Sequence, residues 1–145
     1  MIIPVYFSLD ELVCEDVYNF YGQTAWQFFD VKLLVTLDRL REKFNKPIFI
    51  NDWQIHGKQS QSGYRCLKCP IVKAKILSGE MYCSAHMTGQ AADFTVQGLL
   101  AEEVRQWIIK NANLLPYPVR LEAGVNWVHL DTRDGGIQKV TLFNP

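Results

Sequence analysis

Between Asn51 and Cys83 the chain runs through a polar stretch rich in Gly, Ser, Gln and Cys, with few periodic apolar positions. No other feature limits the fold as much. A loop of that length is uncommon in a small domain and is usually functional where it occurs. It also divides the chain by type. Ahead of it, Ser8-Leu-Asp-Glu11 fits a capping box and starts a short helix. Asp30 caps a second helix, with Val31, Leu34, Leu37, Leu40 and Phe44 at helical spacing, and Lys46-Pro47 ends it. Ile48-Phe49-Ile50 reads as a short buried strand. Beyond the stretch, Ala91 to Val96 reads as a strand, and Ala101 to Ala112 as a helix with Val104, Trp107 and Ile108 on one face. Pro116 and Pro118 break the pattern. Val119 to Glu122 and Trp127 to Asp131 flank Ala-Gly-Val-Asn as a β-hairpin, Asp134-Gly-Gly136 is a turn, and Val140 to Phe143 is a closing strand. Helices leading and strands following predict an α+β fold, with helices packed on a small antiparallel sheet.

Residues 1–145 are expected to form a single domain. Hydrophobic side chains make up 48% of the chain and are spread along it, enough for a core, and no linker or repeat divides it. Fifteen basic and fifteen acidic residues cancel. That balance gives no overall attraction to nucleic acid or to an anionic membrane, so neither is expected as a partner. No apolar run has the length of a membrane span. Met1-Ile-Ile-Pro-Val-Tyr-Phe-Ser lacks the basic and apolar regions of a signal peptide, so the protein is expected to be cytoplasmic as synthesised. Cys14, Cys66, Cys69 and Cys83 are then expected to be reduced.

Two segments concentrate the chemistry: Ser84-Ala-His86-Met-Thr-Gly89-Gln-Ala91-Ala-Asp93 and Trp127-Val-His129-Leu-Asp131. Two imidazoles and a carboxylate form a hydrolytic zinc set, because borderline zinc accepts both donor types and three protein ligands leave a fourth position for water. His86 falls on the loop entering a strand, Asp93 within that strand, and His129 at the centre of another. Gly89 allows a turn that a Cβ would resist. Taken singly, each residue is more often structural: a strand histidine commonly bonds a neighbour, and an Asp commonly accepts from backbone amides.

The pattern Ser-x-His-x-x-Gly-x-Ala-x-Asp followed by Trp-Val-His-x-Asp resembles the zinc D-Ala-D-Ala carboxypeptidases and murein endopeptidases of the hedgehog/DD-peptidase fold. Ser62-Gly-Tyr-Arg65 resembles the stretch before that family's first zinc histidine. The opening Tyr6-Phe-Ser-Leu-Asp-Glu-Leu and the helix carrying Leu40-Arg41-Glu42 are similar too. The resemblance implies a zinc peptidase of bacterial peptidoglycan peptides, expected as a monomer. It gives His86, Asp93 and His129 as ligands of one catalytic zinc. Arg65 would sit near the substrate carboxylate or the polarised carbonyl, and Ser84 would hydrogen-bond substrate. The short form is similar to phage and prophage members, which implies action on the wall after release or within a phage particle. The bland readings are a surface ion pair for Arg65 and a turn bond for Ser84.

Two features depart from that picture. Cys66-x-x-Cys69 and Cys83-x-x-His86 have the spacing of a closed structural zinc site. On that reading the chain is a non-catalytic, zinc-stabilised binding or structural module of a phage particle, and Gly89, Asp93 and His129 have no role. Alternatively Cys66, Cys69 and Cys83, with a further ligand such as His56, hold a second metal, or they are plain thiols. Secondly, many relatives carry an acid three positions before the second zinc histidine, where this chain has Asn126. A two-residue or a four-residue hairpin loop both pair 122 with 127 and 120 with 129. Either places Glu122 on the face of His129, one diagonal step away, and nominates it as the general base. The rival is a surface pairing of Glu122 with Arg120 or Arg133. Asp131 shares the face, either as a second candidate base or as a residue that orients a zinc ligand.

Overall fold

The computed structural model describes residues 2–134 and 136–144. Ser8 N–H donates to the Glu11 carboxylate at 2.9 Å, the return half of a capping box, and α1 (Leu9–Leu12) follows. After a break at Val13 and Cys14 come α2 (Glu15–Tyr21) and a 3-10 segment, Gly22–Phe28. Asp30 accepts the Lys32 N–H at 2.8 Å and caps α3 (Val31–Phe44). The buried face of α3 carries Leu33, Leu34, Leu37 and Leu40, and Asn45 closes the helix in the left-handed region. α4 (Pro70–Leu77) lies inside the polar stretch, and α5 (Ala101–Lys110) comes later. The sequence reading has neither α2 nor α4. The legible signal for α4 is Pro70 at its first position, but its apolar residues keep no helical stripe.

Five strands make one sheet: β1 (Ile48–Phe49), β2 (Ala91–Val96), β3 (Val119–Glu122), β4 (Val128–Asp131) and β5 (Val140–Phe143), in the order β1-β2-β4-β3-β5. The fold is α+β, and the sheet is mixed rather than wholly antiparallel, because β5 runs parallel to β3. The reason is occupancy. β4 already has β2 on one edge and β3 on the other. A chain that turns back after β4 must therefore pass to the free edge of β3, and a strand antiparallel to β4 is parallel to β3. The expected turn at 134–136 has Gly136 N–H donating to the Asp134 carboxylate at 2.9 Å, while Gly135 lies outside the described residues. One apolar cluster joins α3, α5 and the sheet through residues such as Leu37, Val104, Ile108, Phe94, Leu121 and Leu130. Among the described residues no helix is long and apolar enough to cross a membrane.

The hairpin register is also corrected. Arg120 pairs with Asp131 and Leu121 with Leu130, two residues away from the expected pairing. The loop spans residues 123–127, and α5 causes this. Arg105 is buried on α5 and donates from Nη1 to Trp127 O and from Nη2 to Val125 O, each at 2.8 Å. The guanidinium holds Trp127 out of the strand, so no two- or four-residue turn forms. A shift of two keeps every side chain on its face.

Gly89 shows how tightly the segment before β2 is seated. Its φ is +68°, and a Cβ there would lie 2.0 Å from Phe28 O. Gly124 has a φ of +77° with nothing within 4 Å. Gly89→Ala is therefore expected to cost roughly 2–4 kcal/mol, strain plus clash, against about 1 kcal/mol of strain for Gly124→Ala. Urea denaturation of both variants is the check, and equal losses would disprove the seating argument.

Candidate metal centre

Directly opposite residues of an antiparallel pair share a sheet face, and Asp93 of β2 lies opposite His129 of β4. His86 reaches the same point from the turn before β2. That turn is tied down by Gln90 N–H to Ala85 O at 2.8 Å, Asp30 N–H to Gly89 O at 3.0 Å and Arg65 N–H to His86 O at 3.1 Å. The three side chains converge: His86 Nε2 lies 3.3 Å from His129 Nδ1 and 3.3 Å from Asp93 Oδ2, and His129 Nδ1 lies 2.7 Å from Asp93 Oδ1. His86 is 2% exposed and His129 9%, so water screens this cluster little.

Each imidazole is fixed from behind. His86 Nδ1–H donates to Gly63 O at 2.9 Å, which leaves Nε2 to face the cluster. His129 Nε2–H donates to Asp131 Oδ2 at 3.3 Å, which leaves Nδ1 to face it. Asp131 is fully buried and is itself gripped by Arg120, through Nε and Nη2 at 2.8 Å each. Supporting bonds of this kind set tautomer and ring angle at metal sites. The carboxyls respond as expected for such company. Burial pushes Asp93 up, but hydrogen bonds with His129 and His86 outweigh it and hold the carboxyl well below its usual range. Burial likewise pushes Asp131 up, but His129 and Arg120 bring it to about 2. Burial alone would lower His129, yet Asp131 and Asp93 raise it to about 9, whereas burial keeps His86 below its ordinary value.

The donor set fits zinc. Ligand atoms on a tetrahedral zinc with bonds of about 2.0–2.1 Å stand about 3.3 Å apart, and both His86 distances have that value. The shorter Asp93–His129 contact is a hydrogen bond, and its proton is the one that a metal ion displaces. The sequence model of the family described as Peptidase M15 matches residues 5–131. The chain belongs to the peptidase M15 family. This is the family of zinc D-Ala-D-Ala carboxypeptidases. No curated protein and no solved structure matches the chain.

Other residues of this M15 peptidase fall around the cluster. Arg65 is not a surface residue: Nη2 donates to Asp93 Oδ2 at 2.8 Å, Nε donates to Gln61 O, and Nη1 stands 3.5 Å from the Tyr82 hydroxyl. Ser84 Oγ is buried with no partner among the described residues, so the simple turn bond is not made. Continuing the observed register one step past Leu121–Leu130 sets Glu122 opposite His129, closer than the diagonal expected. Its neighbour on the other side is Phe143, whose ring meets the His129 ring edge-on at 5.7 Å. Arg120 and Arg133 both turn to Asp131 instead of Glu122. Both Asp131 oxygens are taken up by Arg120, with His129 and Arg133 beside them. Asn126 is exposed in the loop.

The cysteine expectation is corrected. Cys83 is exposed, His56 is exposed, and His86 belongs to the His/Asp/His cluster, so the Cys66/Cys69/Cys83/His86 site does not form. Cys14 joins Cys66 and Cys69 instead. Spacing could not reveal this, because Cys14 is 52 residues from Cys66.

Asn51 is a supporting residue that the sequence reading missed. It is buried, donates to Val13 O at 3.0 Å and accepts Ser62 N–H at 2.9 Å, and Ser62 O in turn accepts Asp93 N–H at 2.7 Å. Its only sequence signal is a polar residue directly after an apolar strand.

Asp131→Asn keeps the shape but leaves the Arg120 charge unbalanced and weakens the hold on His129. Zinc affinity, measured by chelator competition, is expected to fall about 10–100-fold with the fold retained. Unchanged affinity would remove Asp131 from the site.

Proposed function

We propose that this M15 peptidase hydrolyses peptide bonds in the stem or cross-bridge peptides of bacterial peptidoglycan, as a D-Ala-D-Ala carboxypeptidase or a murein endopeptidase. The observation that carries the reading is the trio of facing donors, His86 Nε2, Asp93 and His129 Nδ1, with both tautomers set from behind. Two imidazoles and a carboxylate with one position left over are a donor set that suits a hydrolytic zinc. Zinc held there would supply the Lewis acidity that polarises a carbonyl and lets water attack at neutral pH.

The chain's own residues supply the rest. Arg65 is anchored through Nη2 and Nε, while Nη1 has only a long 3.5 Å contact with the Tyr82 hydroxyl, so that edge can turn to a substrate carbonyl or terminal carboxylate. A groove of about 560 Å³ runs beside it, with Phe28, Tyr64, Leu67 and Met87 among its walls, and gives a peptide somewhere to lie. The Ser84 hydroxyl is buried without a partner among the described residues, so it meets a substrate amide only if its turn shifts. The Glu122 carboxylate takes the proton from the attacking water and returns it to the leaving amine nitrogen. The likeness of the motif residues to those of phage members of the family favours action on the wall after release or from within a phage particle.

Mass spectrometry of purified muropeptides before and after incubation tests the reading. Loss of a terminal alanine marks a carboxypeptidase and splitting of cross-linked species an endopeptidase, while unaltered muropeptides with zinc-loaded protein would refute the proposal. His86→Ala, Asp93→Ala and His129→Ala are each expected to abolish hydrolysis. Arg65→Lys keeps charge but not the planar fork, and a clear loss of turnover at unchanged zinc content is expected. Glu122→Gln should retain zinc and lose ~10²-fold or more in rate. Near-normal turnover in Glu122→Gln would mean that another group moves the proton.

A further inference from the structure

We propose that Cys14, Cys66 and Cys69 bind a second zinc ion, which staples the N-terminal helices to the loop that carries Arg65. The three sulfurs come from separate places. Cys14 precedes α2, Cys66 lies in the loop, and Cys69 precedes α4. They meet because the backbone brings them together: Val13 forms a lone parallel bridge with Tyr64, and Tyr64 N–H donates to Leu12 O at 2.8 Å. Gly63 permits that approach, since a Cβ there would lie 2.0 Å from Leu12 O.

The sulfur spacing is that of a metal site. Thiolates on a tetrahedral zinc with bonds of about 2.3 Å stand about 3.8 Å apart. Cys14 Sγ lies 3.6 Å from Cys66 Sγ, and Cys66 Sγ lies 3.9 Å from Cys69 Sγ. A disulfide requires about 2.05 Å. All three sulfurs lie within 4.8 Å of one another. The loop has the form of a metal knuckle: Cys69 N–H donates to Cys66 O at 3.1 Å, and Lys68 N–H donates to Cys66 Sγ at 3.3 Å, a bond that favours a charged sulfur. Soft thiolates select zinc among the common divalent ions. Binding displaces three thiol protons to solvent.

Among the described residues no fourth histidine, cysteine or acid joins the three, so water completes the coordination. Cys66 borders the groove beside Arg65, which gives water its way in. The ion would close a loop between residues 14 and 66 and fix the residue directly after Arg65. That is a constraint for which the polar stretch has little apolar burial of its own.

Cobalt provides the test, because only sulfur ligands give the intense near-ultraviolet thiolate-to-cobalt charge-transfer band. The His/Asp/His cluster contains no sulfur, so the two sites report separately. Protein purified under reductant with zinc is expected to hold two zinc ions per chain. His129→Ala and Cys14→Ser should each hold one, and the exposed-site control Cys83→Ser two. After replacement with cobalt, wild type, His129→Ala and Cys83→Ser should show the band, and Cys14→Ser and Cys66→Ser should lack it. The wild-type spectrum needs no variant to fold. Absence of the band in wild type, iron in place of zinc, or undiminished zinc in Cys14→Ser would each overturn the proposal. One zinc with the band present would leave this site standing and count against the His/Asp/His centre.

Discussion

The pairing of Asp93 with His129 across β2 and β4 is the contact on which the centre depends. Antiparallel partners directly opposite one another present their side chains to the same face within hydrogen-bonding reach. Here that puts a carboxylate and an imidazole 2.7 Å apart on two adjacent inner strands of the sheet. A rigid ladder therefore fixes two of the three donors. The third, His86, needs only the turn that Gly89 makes against Phe28. A site set this way resists the small displacements that a loop-borne site would suffer.

A buried polar group is stable only when its bonds are made, and the surroundings of the centre follow that rule. Asp131 is gripped by Arg120 and His129. Asn51 bridges Val13 and Ser62, and Ser62 reaches the Asp93 amide. Arg65 joins the Gln61 carbonyl to the Asp93 carboxylate. Some of these links are local, such as His129 to Asp131 on one strand, but Arg65 to Asp93 and Asn51 to Val13 join elements 28 and 38 residues apart. The same bonds that hold the polar stretch in place thus orient the donor atoms. The exception is Ser84, whose hydroxyl has no partner among the described residues.

Arg105 shows how one buried charge can reset local structure. Its guanidinium takes two loop carbonyls, lengthens the β3–β4 connection and moves the register by two residues. Because side chains alternate with a period of two, the face of Glu122 is unchanged by the move, and the residue comes nearer to His129. An odd shift would have turned it to the opposite face.

The sequence by itself determined α1, α3, α5 and the strand segments, the Leu34, Leu37 and Leu40 stripe of α3 with Val104 and Ile108 of α5, and the motif residues His86, Asp93 and His129, but not α2 or α4. It could do so because capping residues, apolar periodicity and short motif spacings are local, and local patterns are written in neighbouring letters. Tertiary structure alone decided the rest. The parallel placement of β5 follows from which strand edges were free. The hairpin register follows from Arg105, whose partners lie 20 and 22 residues away. The roles of Asn51 and Asp131 follow from carbonyls and guanidinium groups on other elements. The cysteine cluster is the clearest case. Spacing grouped Cys66 and Cys69 with Cys83, but the backbone bridge at Val13 and Tyr64 brought in Cys14. Contacts across such separations are set by packing of the whole chain, and no local pattern encodes them.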